Sequence, residues 1–153
     1  IRSEEEIYMI EAAASMYCQP KIEIETQTYI AEGRTVLEVD IHEASIKPVY
    51  ELDEENKPKA YIRIADENIL ATPVHLKVWQ RTKKEEGTLV AFTEKEQRLL
   101  DMLGEKECLT LNQCCKLCKT SRKTMCNLLA DFIRFGLVEP TFQGHQFYFK
   151  LNE

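Results

Sequence analysis

Alternating apolar and polar residues predict a β-hairpin in the first third of the chain. From Lys21 to Ile30, every second position carries Ile or Thr, which is typical of a half-buried strand. The segment AEGR has the composition of a turn, and TVLEVDI repeats the alternation. Residues 21–41 are therefore predicted to form an antiparallel hairpin.

A helix is predicted before this hairpin, and further short elements after it. Ser3 and Glu6 have the spacing of a capping box, and apolar residues recur on one helical face until Pro20. After the hairpin, ELDEENKPK is predicted to be a polar loop, AYIRI a third strand that ADEN ends, and HLKVWQ a short helix following Pro73. This order of elements is typical of an α+β module covering residues 1–80.

Three helices are predicted in residues 92–153, after a linker at residues 81–91 that combines mixed charge with a glycine. Thr93 with Glu96 and Thr110 with Gln113 form capping boxes for the first two helices. Ser121 is the expected N-cap of the third helix.

Glycines mark the predicted ends of these elements. Gly104 suits the end of the first helix and Gly136 the end of the third. The final segment, LVEPTFQGHQFYFKL, alternates apolar and polar residues on both sides of Gly144, so we expect a second hairpin with His145 at its tip.

A cluster of cysteines, in QCCKLCKTSRKTM, has the spacing of a buried helical stripe. Leu111, Cys114, Cys115 and Cys118 fall at i, i+3, i+4 and i+7, and free cysteine behaves as a small apolar side chain. The alternative is a zinc site that also includes Cys126, but two separated ligand pairs are missing from the sequence. We expect core packing, with neither a metal nor another cofactor.

Three helices followed by a hairpin are typical of a winged helix-turn-helix domain, whose third helix enters the major groove of DNA. If the apolar stripe of the third helix faces the core, its charged and amide side chains face outwards. The alternative is an ordinary solvated helix face. The predicted DNA-binding residues on the third helix and the hairpin are Ser121, Arg122, Lys123, Asn127, Arg134, His145 and Lys150.

Charge and hydropathy limit the classes of partner. The net charge is −6, but residues 1–92 carry 11 Lys and Arg against 18 Asp and Glu, whereas residues 93–153 carry 9 against 8. An anionic partner is therefore expected at the C-terminal part. No stretch is apolar enough for a membrane span, and no signal peptide is visible, so we expect a cytoplasmic protein with reduced thiols.

No catalytic residue is predicted. Asp40, His42 and Glu43 lie close together in sequence and are compatible with acid–base or metal chemistry, but the polar end of a strand is the commoner explanation. The sequence contains no Walker loop, Rossmann fingerprint or serine-nucleophile elbow.

The segments CQPKIEIE, GRTVLEVDIHEASIKPVY and KAYIRIADENILAT resemble the Schlafen AlbA-type DNA-binding domain of bacterial regulators. The resemblance covers roughly the latter two-thirds of that domain, so the chain is expected to begin inside it. Family members often join the domain to an ATP-binding region and a C-terminal winged helix, and they are described as transcriptional regulators or helicase-related proteins. Some cleave RNA with acidic residues, for which no matching positions are found here.

We therefore expect a DNA-binding transcriptional regulator that is not an enzyme. A homodimer is expected because one winged helix contacts few base pairs. Two alternatives stay open. One is a parent protein that processes nucleic acid as a Schlafen-like nuclease or a helicase-related protein, and the other is a module that binds a protein partner.

Overall fold

The computed structural model describes residues 3–81 and 92–152. The chain divides into two compact units, Ile1–Ala71 and Thr72–Glu153. Across the described residues, α-helices are combined with short antiparallel strands, which confirms the predicted α+β class. No helix within this part of the chain is long and apolar enough to cross a membrane.

The first unit consists of one helix and a series of short strands. The β2–β3 and β6–β7 pairs are hairpins, and β1, β4 and β5 form a third sheet in the order β1-β4-β5. The elements are α1 (Ser3–Met16), β1 (Cys18–Gln19), β2 (Ile24–Ala31), β3 (Arg34–Ile41), β4 (Tyr50–Leu52), β5 (Pro58–Lys59), β6 (Tyr61–Ile64) and β7 (Glu67–Leu70).

The predicted first hairpin is confirmed. Strands β2 and β3 pair in antiparallel register from Ile24 opposite Ile41 to Ala31 opposite Arg34. Gly33 in the turn has a φ of +74°, a backbone conformation that L side chains rarely adopt. The turn therefore fixes the register in which the alternating side chains meet.

The first unit contains short strands that were not predicted. The loop ELDEENKPK contains part of β4 and all of β5, because the Asp53 carboxylate accepts the backbone N–H groups of Glu55 and Lys57 and closes a tight turn between those strands. The strand AYIRI ends at ADEN, as predicted, but Ala65 adopts a positive φ in a turn that leads directly into a further strand, β7.

Burial in the first unit is sparse. Among its described residues only Ala14, Pro48 and Ala60 are buried, and Ile30 on β2 has 83% of its surface exposed. The main hydrophobic core of the described residues therefore lies in the second unit.

The second unit contains four helices and a hairpin in its described residues. The elements are α2 (Pro73–Arg81), α3 (Glu94–Glu105), α4 (Leu111–Leu117), α5 (Arg122–Arg134), β8 (Val138–Gln143) and β9 (Gln146–Leu151). Strands β8 and β9 are antiparallel, as predicted, with Gly144 and His145 in the turn between them.

The predicted helix starts are confirmed in α3, α4 and α5. Both capping boxes form, and in the second the Gln113 side chain accepts the Thr110 backbone N–H at 2.8 Å. Ser121 caps α5 by accepting the backbone N–H of Thr124 at 3.2 Å. Gly104 lies in the last turn of α3, one residue before the helix ends at Glu105.

The cysteine-rich stripe is part of the core, as the helical spacing predicted. Cys114, Cys118 and Cys126 are buried against apolar side chains of α3, α5 and β9, while Cys115 is half-buried. Burial raises the pKa of the Cys114 thiol to about 12. A thiol with that pKa stays protonated at neutral pH, so Cys114 acts as a small apolar residue.

Helix α2 belongs to the second unit, although its residues were predicted to lie in the first module or its linker. Val74 is fully buried in the core of the second unit, and Val78 packs against that core. Apolar packing across a large sequence separation therefore decides the boundary, which falls between Ala71 and Thr72. Most of the predicted linker, residues 82–91, lies outside the described residues.

Candidate nucleic-acid interface

A tight turn joins α4 to α5. The backbone N–H of Thr120 donates to the Cys115 carbonyl at 3.0 Å, and Lys119 adopts a φ of +48°. Buried Cys118 lies at the end of α4. Backbone hydrogen bonds and a buried side chain thus fix the direction in which α5 begins.

The first turn of α5 brings three of the predicted DNA-binding residues together. Ser121, Arg122 and Lys123 are all exposed. Arg122 donates from Nη1 to Oδ1 of Asn112 at 2.6 Å, which joins the first turns of α4 and α5. The guanidinium is therefore held at the surface with further N–H donors for a ligand.

Positive charge is concentrated around this turn. Residues 108–130 contain Lys116, Lys119, Arg122 and Lys123 and no Asp or Glu. A helix is stabilised by acids at its amino end, and α3 has two there, whereas α5 begins with two cations. Cations at the amino end of an exposed helix lower its stability, and an anionic ligand bound there would compensate for that loss.

Lys77 on α2 is partly exposed and is a further cation whose charge acts on α5. Burial raises the pKa of the Cys126 thiol, and the positive charges of Arg122 and Lys77 act on this thiol in the opposite direction. The two cations therefore lie close enough to Cys126 to act on the same thiol. Lys77 was not among the predicted DNA-binding residues, because HLKVWQ was predicted to belong to the first module.

The outward face of α5 is covered by α2. Ala130 lies away from the apolar stripe of α5, yet none of its surface is exposed. Arg81 donates from Nη2 to Oδ1 of Asn127 at 3.0 Å, from Nη1 to the Asn127 carbonyl at 3.1 Å, and from Nη1 to Asp131 at 2.5 Å. Asn127 therefore contacts α2, and its predicted outward orientation was wrong.

The remaining predicted residues lie away from the first turn of α5. Arg134 is in the last turn, about 18 Å along the helix axis from Arg122. His145 is exposed at the tip of the hairpin. Lys150 forms an ion pair with Glu139 across the hairpin at 2.7 Å. The structure thus separates these residues into a cluster on α5 and scattered positions elsewhere.

His75 connects α2 to the hairpin. Its ring makes an edge-on contact with Phe147, at 4.6 Å between ring centroids, and its Nδ1 lies 2.8 Å from the Thr72 hydroxyl. Burial lowers the pKa of His75 from 6.5 to about 4, so the ring is neutral at pH 7. A neutral Nδ1 accepts the backbone N–H of Thr72 at 3.3 Å, and this bond holds the start of α2.

The polar group at the end of β3 is an exposed pairing of side chains. His42 Nε2 lies 3.1 Å from Oε1 of Glu25, and the hydrogen bond and charge of that carboxylate raise the pKa of His42. Glu43 forms an ion pair with Lys47. Within residues 3–81 and 92–152, no three His, Cys, Asp or Glu side chains are grouped so that they could hold a metal ion.

No protein-family model matches the chain, and comparison with curated proteins and with solved structures gives no match either. The resemblance to the Schlafen AlbA-type domain therefore stays a prediction.

Proposed function

We propose that the second unit is a winged helix-turn-helix domain that binds DNA, and that the chain is a cytoplasmic transcriptional regulator without catalytic activity. The observation that carries this proposal is the exposed turn between α4 and α5, where four cations lie in a segment that contains no acid. Clustered Lys and Arg on one surface supply the phosphate contacts of nucleic-acid-binding domains.

The covered face of α5 limits the proposed mode of binding. Because Asn127 is hydrogen-bonded to α2 and Ala130 is fully buried, the middle of α5 is not available to base edges. Contacts come instead from the amino end of α5, the preceding turn and Lys77. This set favours phosphate contacts over direct base contacts, and phosphate contacts position a protein on DNA without reading its sequence.

The distribution of charge supports a division of roles between the units. Residues 1–71 carry 7 Lys and Arg against 16 Asp and Glu, a net charge of −9, and residues 72–153 carry 13 against 10, a net charge of +3. We assign DNA contact to the second unit and dimerisation or signal sensing to the first. Sedimentation of the chain as a dimer would support this role of the first unit, and a monomer at all concentrations would oppose it.

Paired substitutions test the DNA-binding proposal. Exchanging both Arg122 and Lys123 for Gln removes two cations from the proposed interface, and we expect DNA affinity to fall about tenfold or more at low salt. Exchanging Lys95 and Lys106 for Gln removes the same charge from exposed positions at the two ends of α3. Equal losses in the two double variants would show that only net charge matters and would contradict the proposed interface.

A protein-interaction module is the second candidate, and the covered outward face of α5 favours it. In that case the exposed cations would meet an acidic protein surface rather than phosphates. Titration of the chain with mixed-sequence duplex DNA and with an acidic peptide of equal charge separates the two. Stronger binding to the peptide at equal salt would replace the first proposal.

Nuclease activity of a longer parent protein is a further prediction, taken only from the family resemblance. A metal-dependent RNA cleavage assay on that protein tests it, and absence of turnover would count against it.

A further inference from the structure

A small cavity lies in the second unit where the starts of α2, α4 and α5 meet strand β9. Its volume is about 140 Å³. Its lining combines four apolar residues with four polar residues that carry hydrogen-bond donors: Pro73, Leu111, Phe147 and Phe149 with Thr72, Asn112, Arg122 and Gln146. Apolar walls with a few convergent polar groups are characteristic of small-molecule sites.

The size of the cavity fits one six-membered ring. An engineered cavity of about 150 Å³ in another protein binds benzene, and this cavity has almost the same volume. The cavity is open to solvent on the side of the exposed Arg122 and Gln146 side chains, so a polar substituent on the ring can face that side. A single ring with one polar substituent is therefore the ligand that fits this volume best.

The polar groups favour a carboxylate on that ring. Arg122 is the charged residue in the lining, and no Asp or Glu lines the cavity among the described residues. The hydrogen bond that Arg122 donates to Asn112 at 2.6 Å fixes the guanidinium at the cavity and uses one of its five N–H donors. A guanidinium binds a carboxylate through two parallel hydrogen bonds, and the Gln146 amide supplies another donor.

The aromatic wall is already in place without a ligand. Phe147 packs against His75 at 4.6 Å and against Phe142 at 4.9 Å between ring centroids. Neighbours that hold this ring lower the entropy that a ligand would otherwise lose in ordering it. A ligand ring therefore meets a preformed apolar surface.

We propose that this cavity binds a single-ring aromatic carboxylate, with the carboxylate on Arg122 and the ring against Leu111 and Phe147. Because Arg122 also belongs to the proposed DNA interface, the bound carboxylate withdraws its guanidinium from phosphate and lowers DNA affinity. This second part rests on the proposed function, whereas ligand binding itself does not.

Benzoate is the probe for the site. We expect saturable NMR shifts of the backbone amides of Leu111, Arg122 and Phe147 when benzoate is added to the whole chain. Benzamide has the ring without the charge, and acetate has the charge without the ring. The affinity of each should therefore be at least about tenfold lower than that of benzoate. Equal shifts with all three compounds, or no shift with benzoate, would overturn the proposal.

Neighbouring substitutions test the role of Arg122. Arg122→Gln should weaken benzoate binding by about tenfold, whereas Lys123→Gln should bind within about twofold of the wild type, since Lys123 does not line the cavity. Circular dichroism shows whether each variant is folded. Unchanged benzoate affinity in folded Arg122→Gln would also overturn the proposal.

A separate titration distinguishes this site from the DNA-binding proposal. DNA affinity is measured first without benzoate and then with saturating benzoate, against acetate at the same ionic strength. If benzoate weakens DNA binding, both the ligand site and its competition with DNA are supported. If saturating benzoate leaves DNA affinity unchanged, the competition is overturned. If DNA does not bind at all, the proposed function and the competition both fail, while the NMR titration still decides the cavity.

Discussion

Arg81 at the end of α2 donates a hydrogen bond of 3.0 Å to the side chain of Asn127 on α5, 46 residues further along the chain. The same guanidinium pairs with Asp131 one turn later. These contacts hold α2 over the face of α5 that a helix-turn-helix domain usually presents to DNA. They are the structural reason why the proposed interface is restricted to the amino end of α5.

Removal of this contact is expected to destabilise the second unit. Arg81→Ala removes the donor to three acceptor atoms on Asn127 and Asp131, although the Arg81 and Asp131 side chains are about a third exposed. We expect the free energy of unfolding in urea to fall by about 1–2 kcal/mol. Gln80→Ala, at an exposed position of the same helix, is the matched control. An equal loss in the two variants would mean that Arg81 does not hold α2 in place.

The stability of the second unit is expected to depend on pH through His75. The ring takes up a proton with a pKa of about 4 when folded and near 6.5 when unfolded. Between these values the unfolded state binds more protons, so the free energy of unfolding decreases as the pH falls from 6.5 to 4. The full decrease amounts to about 3 kcal/mol at most.

Denaturation of the wild type and of His75→Leu over this pH range isolates that contribution from the carboxylates. As the pH falls from 6.5 to 4, the free energy of unfolding should decrease more in the wild type than in His75→Leu. His145→Asn is the control, because Asn tolerates the positive φ at the hairpin tip. The same pH slope in His75→Leu as in the wild type would contradict the assignment.

The cysteines of α4 are expected to differ in their contribution to packing. Cys114 is fully buried and Cys115 is half-buried on the same helix. Cys114→Ser places a hydroxyl among apolar side chains, which should cost about 2 kcal/mol of unfolding free energy, whereas Cys115→Ser should cost less than about 1 kcal/mol. Equal costs, measured by urea denaturation, would show that Cys114 is not part of the apolar stripe.

Ser121 allows helix stability to be separated from DNA contact. Ser121→Ala removes the N-cap of α5 and should cost about 1 kcal/mol, whereas Ser121→Asp keeps a capping oxygen and should leave stability close to that of the wild type. The added negative charge lies next to Arg122, so Ser121→Asp should nevertheless weaken DNA binding. If urea denaturation shows a stable Ser121→Asp protein that binds DNA as the wild type does, this part of the turn is not at the interface.

The local structure of the second unit could be predicted from the sequence because its signals are local. Thr93, Thr110 and Ser121 cap helices through partners three residues away, and such short spacings are visible in the chain itself. The burial of Cys114 and Cys118 likewise follows from helical periodicity.

The placement of α2 could not be predicted in this way. Val74 and Val78 show that the helix has an apolar face, but periodicity does not say which surface that face covers. The outward orientation of Asn127 was predicted from the register of α5 alone, so its contact with α2 was missed. The short strands β4 and β5 were missed for another reason, because they are only three and two residues long and lie on either side of a polar turn.

The salt dependence of DNA binding shows whether the turn between α4 and α5 contacts phosphates. Fluorescence anisotropy of the wild-type chain with mixed-sequence duplex DNA, repeated over a salt series, gives the number of phosphate contacts. With Lys77, Lys116, Lys119, Arg122 and Lys123 at the interface, the slope of log K against log salt should lie at about −3 to −4.5. No binding at low salt, or binding that does not change with salt, would contradict the proposal that this surface contacts DNA phosphates.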